Sequence, residues 1–292
     1  MNHNPLLRSK PVRFLLQYKA WLYLLPALLV ITVFQIYPIC KSFLMGFYTD
    51  FDYLNDVVYA WGFDNFRNLM EDDNFALAIR NTMVLTVLAA PLSIIVSLLF
   101  AVLLNSDIHC RKVFQSIYFL PFVTSMVAVS IVWAWMLNKD FGLVNAFLKV
   151  FGIKKIKWLT DPDMTIPVLV MLCIWKGLGY RVIIFLAGLQ SVSPAIYESC
   201  QMDGATGWET FWKITFPMIS PMILVNLVYT IIDSFTTKSN VMMSFITTAS
   251  NEANGKPLGT AMAWLYFLIV ILILAICTAF ASLFVFYQRR EK

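Results

Sequence analysis

The chain has 292 residues, of which 60% are hydrophobic and 13% charged, with a net charge of +5. Soluble domains carry about a quarter charged residues, and a soluble core of this length could not hide so much apolar surface. Composition therefore excludes a soluble globular protein. No basic, aromatic-interleaved patch supports nucleic-acid binding, so the charge excess bears on membrane orientation and lipid headgroups. Several windows run to about 20 apolar residues, enough to cross a hydrocarbon layer roughly 30 Å thick. Alternating strand patterns are absent, so the expected fold class is all-α, a polytopic membrane protein.

In chain order, residues 1–19 form a basic lead (Arg8, Lys10, Arg13, Lys19), followed by an apolar run from Trp21 to Cys40. That run is too long for a signal peptide and no small-residue cleavage site follows, so it reads as a retained first helix. Six spans are predicted over 20–40, 75–104, 113–137, 165–189, 217–235 and 259–287, within one membrane domain covering 20–287 and a tail of 288–292. Basic residues are equally numerous on the two faces. The face bearing both termini has the shorter segments and basic ends, which puts the N- and C-termini in the cytoplasm. The outer loops contrast: Tyr48 to Asp73 is acidic and aromatic, and Lys139 to Lys157 is lysine-rich. A soluble partner docking there competes with simple solvation. Cys40, Cys110, Cys173, Cys200 and Cys277 lack metal or disulfide spacing and read as buried apolar groups. His3 and His109 are the only histidines, and they read as tail and loop.

The third span carries Pro121, then Trp133 and Trp135. Proline frees backbone carbonyls and permits bending, while the tryptophans suit a membrane interface or sugar stacking. The fourth span supplies Trp175, Lys176, Tyr180 and Arg181, with Gly177 and Gly179 allowing close backbone approach. In the fifth, Asn226, Tyr229, Thr230 and Asp233 fall at i, i+3, i+4 and i+7 on one helical face. Such a stripe at membrane depth either glues helices together or lines a path for a hydroxyl-rich solute. Counting rise along each helix from Gln190 and Pro217 sets Lys176 and Asp233 at similar depth, roughly 21 and 24 Å. They are expected to pair, leaving Arg181 as a further cation that either lines the path and favours carboxylate-bearing glycans, snorkels to the interface, or meets a partner subunit.

Residues 190–217 interrupt the apolar pattern with "YESCQMDGATGWETFWKITFP" from Tyr197 to Pro217. A short helix from Pro194 through Met202, a turn at Gly204, and a second helix from Trp208 to Thr215 ending before Pro217 are predicted. Trp208, Phe211 and Trp212 on one side suit insertion in a protein groove or rest in headgroups. This segment resembles the EAA loop of binding-protein-dependent ABC importer permeases, whose pattern is E-A-A, three residues, G, nine residues, I-x-L-P. Glu198, Ser199, Cys200, Gly204, Ile214 and Pro217 fall in register, with Ser199 and Cys200 in place of alanines and Phe216 in place of leucine. Asp203, Gly204, Ala205 and Phe211 match the form common in carbohydrate importers, as do "LAGLQSVSPAIYE" and "LLNSDIHCRKVFQSIYFLP".

The resemblance implies the six-helix type I importer fold in a bacterial cytoplasmic membrane, with a coupling-helix loop seated in a partner ATPase. Glu198 would make a charge-assisted contact or a helix cap there, Gly204 the turn, and Trp208 and Phe211 the packing. It implies a sugar or oligosaccharide substrate, an extracytoplasmic solute-binding protein, a second permease subunit and two ATPase subunits, with membrane lipid around them. No cofactor is expected in this chain. It has no G-x-x-x-x-G-K-[ST], so ATP and Mg belong to the partner and the chain is not an enzyme. Alternatives are a permease of the same kind for another solute, an ion-coupled secondary transporter with inverted repeats, and a membrane enzyme or scaffold.

Overall fold

The computed structural model describes residues 21–285 apart from 22, 53, 54, 56, 107, 108, 110, 238, 239, 253 and 254. The basic lead, His3, Cys110, Lys238, Arg289, Arg290 and Lys292 lie outside the described residues. The described residues fall into two compact units, one within Met1–Asp72 and Ile246–Tyr266, the other within Asp73–Phe245 and Phe267–Lys292.

The first unit holds α1 (Tyr23–Met45), a hairpin of β1 (Tyr48–Asp52) and β2 (Val57–Trp61), and α2 (Asp64–Glu71). The hairpin corrects the expectation that strand patterns are absent. Its β-branched and aromatic residues pair antiparallel, Tyr48 opposite Trp61 and Phe51 opposite Val58, with register irregularities around Asp50. Tyr48 and Trp61 stack edge-on at 4.6 Å, the kind of cross-strand pair that holds a short ribbon together. The Asn65 amide donates to the Gly46 and Tyr48 carbonyls at 3.1 and 2.8 Å, tying α2 to the foot of the hairpin. Trp264 packs on Phe43 and its indole N–H donates to Ser42 Oγ at 3.2 Å.

The second unit holds α3 (Asp73–Asn105), α4 (Arg111–Val123), α5 (Met126–Met136), α6 (Leu143–Val150), α7 (Pro162–Ser191), α8 (Pro194–Met202), α9 (Gly207–Thr210) and α10 (Phe216–Thr236). Two helices, α11 (Val241–Asn251) and α12 (Lys256–Ser282), begin in one unit or the other and complete the chain order. Among the described residues, five helical stretches are long and apolar enough to cross a membrane, and the α4–α5 pair makes a sixth if counted as one broken span. The core of this unit is where α3, α7 and α10 meet: Ala101 and Leu104, Val182, Phe185 and Leu189, and Ile219. At the other end Leu85 and Ala89 of α3 pack on Val170 of α7.

The expected third span, 113–137, is not one continuous helix. It bends by 101° between α4 and α5, where Ser125 adopts φ −57°, ψ 134°. The second correction concerns Pro217, expected to end a helix. Here α9 runs through a π turn, Phe211–Thr215, directly into α10. A proline lacks the N–H for its helical bond, and its ring crowds the carbonyl four residues back. Widening the turn to an i→i+5 register moves that carbonyl aside. The π turn Thr32–Ile36 in α1 stands in the same relation to Pro38, so one physical device serves both helices.

Candidate functional site

Two regions of the second unit gather the residues singled out by sequence. The first is the elbow joining α7 to α10. Pro194 opens α8 at its first turn, a position where a missing N–H costs nothing. The helix closes in a Schellman turn: Ala205 N–H donates to Cys200 O at 3.0 Å and Gly204 N–H to Gln201 O at 3.1 Å. Gly204 sits at φ +76°, a conformation that side chains with a Cβ resist. Thr206 then caps α9. Its hydroxyl accepts from Glu209 N–H, while Glu209 Oε2 accepts from Thr206 N–H at 3.1 Å, a complete capping box. Sequence reasoning missed Thr206 and Glu209, although the T-x-x-E spacing is the signal for this box.

Ser199 hydrogen-bonds back to Ala195 O at 2.8 Å, and Thr215 Oγ1 donates to Tyr197 Oη at 3.3 Å, lashing α8 to the start of α10. Glu198, Asp203 and Trp208 are exposed, Trp208 at 72%, and Ile214 and Pro217 are half-buried. The three aromatics expected on one side touch in series but differ in exposure, with Phe211 and Trp212 rings 5.1 Å apart. Trp208 and Trp212 lie outward with rings 5.6 Å apart. Phe211 turns in to line a hollow shared with Val102 and Asn105 of α3 and Leu189 of α7.

The second region is a cavity of about 100 Å³ lined by Phe122, Met126, Cys173, Lys176, Tyr180 and Asp233, among others. The expected pairing of Lys176 with Asp233 does not occur. Asp233 pairs instead with Arg181, Oδ2 to Nη2 at 3.6 Å. Arg181 is 1% exposed against 55% for the Asp233 side chain. Its Nε donates to Thr230 Oγ1 at 2.9 Å, and its guanidinium lies 4.9 Å over the Tyr180 ring. Gly177 provides the room, because a Cβ there would overlap the guanidinium.

Lys176 has a different employment. Its ammonium donates to the carbonyls of Pro121 and Thr124 at 3.0 Å, with Phe122 O at 3.5 Å. Those carbonyls end α4, where the break deprives them of helical partners, so a cation from α7 caps the helix from outside. Arg181 is therefore not the free cation of the expectation.

The fifth-span stripe divides. Asn226 and Thr230 are buried: Asn226 Nδ2 donates to Arg181 O at 3.4 Å, and Thr230 Oγ1 to Asn226 O at 2.7 Å. They join helices. Tyr229 and Asp233 face the open side, with the Tyr229 ring 6.5 Å from Tyr180. Trp175 packs on Trp133 at 5.4 Å and does not line the cavity.

Residues 78–292 match the family described as binding-protein-dependent transport system inner membrane component. The chain belongs to that family. It is 35% identical over 207 residues to the lactose transport system permease protein LacF of Rhizobium radiobacter, covering 70% of this chain and 68% of that one. A bacterial ABC transporter involved in import of the acidic polysaccharide alginate matches with TM-score 0.80 at 26% identity, over 92% of this chain and 98% of that one. The bacterial alginate transporter in complex with its alginate pentasaccharide-bound periplasmic protein matches with TM-score 0.76 at 26% identity, over 89% and 92%. The fold is accordingly that of an ABC importer permease, and the ion-coupled transporter and membrane-enzyme readings are set aside.

Proposed function

We propose that this chain is a membrane-spanning permease subunit of an ATP-driven importer, moving a sugar or oligosaccharide that an extracytoplasmic binding protein delivers. A second permease and two ATPase subunits complete the assembly, ATP and Mg belong to the ATPases, and both termini face the cytoplasm. The observation that carries the reading is the α8–α9 elbow, a Gly204-turned double helix with exposed Glu198 and Trp208 that runs without interruption into α10. An ATPase groove takes the elbow through Trp208, with Glu198 as its charged contact. From Trp208 to Asp233 is 25 residues of continuous helix, roughly 37 Å at 1.5 Å per residue, so movement at the elbow reaches the cavity through one rod. Tyr180 in the cavity and the exposed Tyr229 beside it offer ring surface to pyranose carbons, and Asp233 accepts from hydroxyls, a donor–acceptor and stacking set suited to carbohydrate. The carbohydrate importers among its relatives support the same substrate class.

The test is uptake of labelled sugar by cells carrying the complete importer. Gly204→Pro and Glu198→Lys are expected to abolish uptake while the chain reaches the membrane at its normal level. Uptake at the unmodified rate by either variant overturns the coupling role.

A further inference from the structure

The loop between α5 and α7 carries an exposed apolar surface that lines neither the cavity nor the elbow. Its short helix α6 presents Leu143, Phe147, Val150 and Phe151 outward, at i, i+4, i+7 and i+8, with Phe147 at 64% and Val150 at 80% exposure. This is a continuous apolar stripe on a helix whose surroundings are built to hold it still. Asn145, on the opposite face and buried, makes four hydrogen bonds. Its amide donates to Lys139 O and Ile156 O at 3.1 and 2.9 Å, and its carbonyl accepts from Ile156 N–H and the Trp158 indole at 3.1 and 3.0 Å. A Schellman turn closes the helix end, with Ile153 N–H on Leu148 O at 3.2 Å and Gly152 at φ +76°. The stripe is thus held outward by a fully satisfied polar hub.

Two features identify what covers it. Lys149, Lys154 and Lys157 are exposed beside the stripe, and Lys155 is shared with Asp140 at 3.6 Å, which leaves the segment strongly cationic. The stripe is also continuous with the exposed apolar side of α5. Ile131, Val132, Trp135 and Met136 form one apolar groove with Phe141 and Leu143. A helix with an apolar face, lysines at its margin and a membrane span leading into it lies in the headgroup layer. A soluble partner would leave the groove toward α5 unfilled, whereas an acyl chain fills it.

We infer that α6 and its lysines form an anionic-phospholipid anchor, with the apolar stripe lying among acyl chains and the lysines on headgroup phosphates. Each lysine close to an anionic surface enriches such lipid by about fivefold. The test uses the complete importer in nanodiscs, its permease carrying a fluorophore at Phe147→Cys with the five native cysteines replaced by serine. Nitroxide-labelled phosphatidylglycerol is expected to quench the dye at least about fivefold more effectively than labelled phosphatidylcholine. Joint replacement of Lys149, Lys154, Lys155 and Lys157 by glutamine removes the preference and leaves uptake intact, which separates the anchor from the transport reading. Equal quenching by the two lipids, or quenching by neither, overturns the inference. So does dye protection by added binding protein without lipid quenching, which would assign the surface to docking. Should the cysteine-free chain fold poorly, native mass spectrometry of the unlabelled complex decides. The glutamine set retains fewer phosphatidylglycerol molecules if the anchor exists, and an unchanged number refutes it.

Discussion

Replacing Lys176 by methionine isolates the external cap on α4. The ammonium serves the carbonyls of Pro121 and Thr124 at 3.0 Å, and only marginally that of Phe122. Pro121 O keeps a second donor, the Thr124 hydroxyl at 2.7 Å, so the variant orphans essentially one carbonyl, that of Thr124. An unsatisfied buried acceptor costs about 1–3 kcal/mol. Hydrogen bonds between membrane helices average nearer 0.6 kcal/mol, and the lysine's own partial desolvation is relieved. The balance is a loss of about 1 kcal/mol in holding the 101° break. Where the bent and straight forms of this span exchange during transport, that loss shifts their ratio by about fivefold. Basal ATP hydrolysis by the reconstituted importer is then uncoupled from sugar delivery. Uptake and ATPase activity measured on the same proteoliposomes read this directly, with thermal unfolding as the stability control. Unchanged coupling together with an unchanged melting temperature would refute the capping argument.

Gly177→Ala is expected to expel the Arg181 guanidinium, since the new Cβ overlaps it. The displaced guanidinium loses its hydrogen bond to the buried Thr230 hydroxyl, worth about 1.5–3 kcal/mol for a charged donor, and detergent-solubilised protein should melt a few degrees lower. Thr206→Ala removes the cap of α9, worth about 0.5–2 kcal/mol. Uptake should fall while Thr206→Ser, which keeps the hydroxyl, retains it.

The elbow was legible because its signals are local. A proline after a serine and a glycine where a helix must close each act within one turn; the threonine three residues before a glutamate is equally local but was passed over. Spatial partners were harder. Lys176 and Asp233 were matched by the depth of their backbones, but helical side chains lean toward their own N-terminus. On α7 that carries the long Arg181 side chain up past Gly177 toward the Cys173 carbonyl, 3.5 Å from Nη1. On α10 it carries Asp233 the opposite way, and the two meet. Lys176 leans away from Asp233 for the same reason. The stripe on α10 shows the other limit: periodicity reports a shared face but not what lies against it, so Asn226 and Thr230 could not be told from Tyr229 and Asp233. The hairpin was hidden because Asp50 and Asp52 make the loop look merely acidic, while the alternation through Tyr48, Asp50 and Asp52 is only a few residues long.

The π turn at Phe211–Thr215 changes what kind of machine the elbow is. Had Pro217 ended the helix, as proline does in most soluble contexts, the elbow would hang from α10 by a flexible joint. A push on Trp208 would then be lost in that joint. With the turn widened instead, Thr210 through Phe216 stays helical, and the stacked rings of Trp208, Trp212 and Phe216 brace its outer side at 5.6 and 5.1 Å. The hinge is displaced to Gly204, the one left-handed residue of the elbow. Bending there reorients α8 and leaves the rod from α9 to Asp233 stiff. Because Thr230 and Asp233 of the same rod both hold the buried Arg181 of α7, a displacement of α10 strains those contacts unless α7 follows.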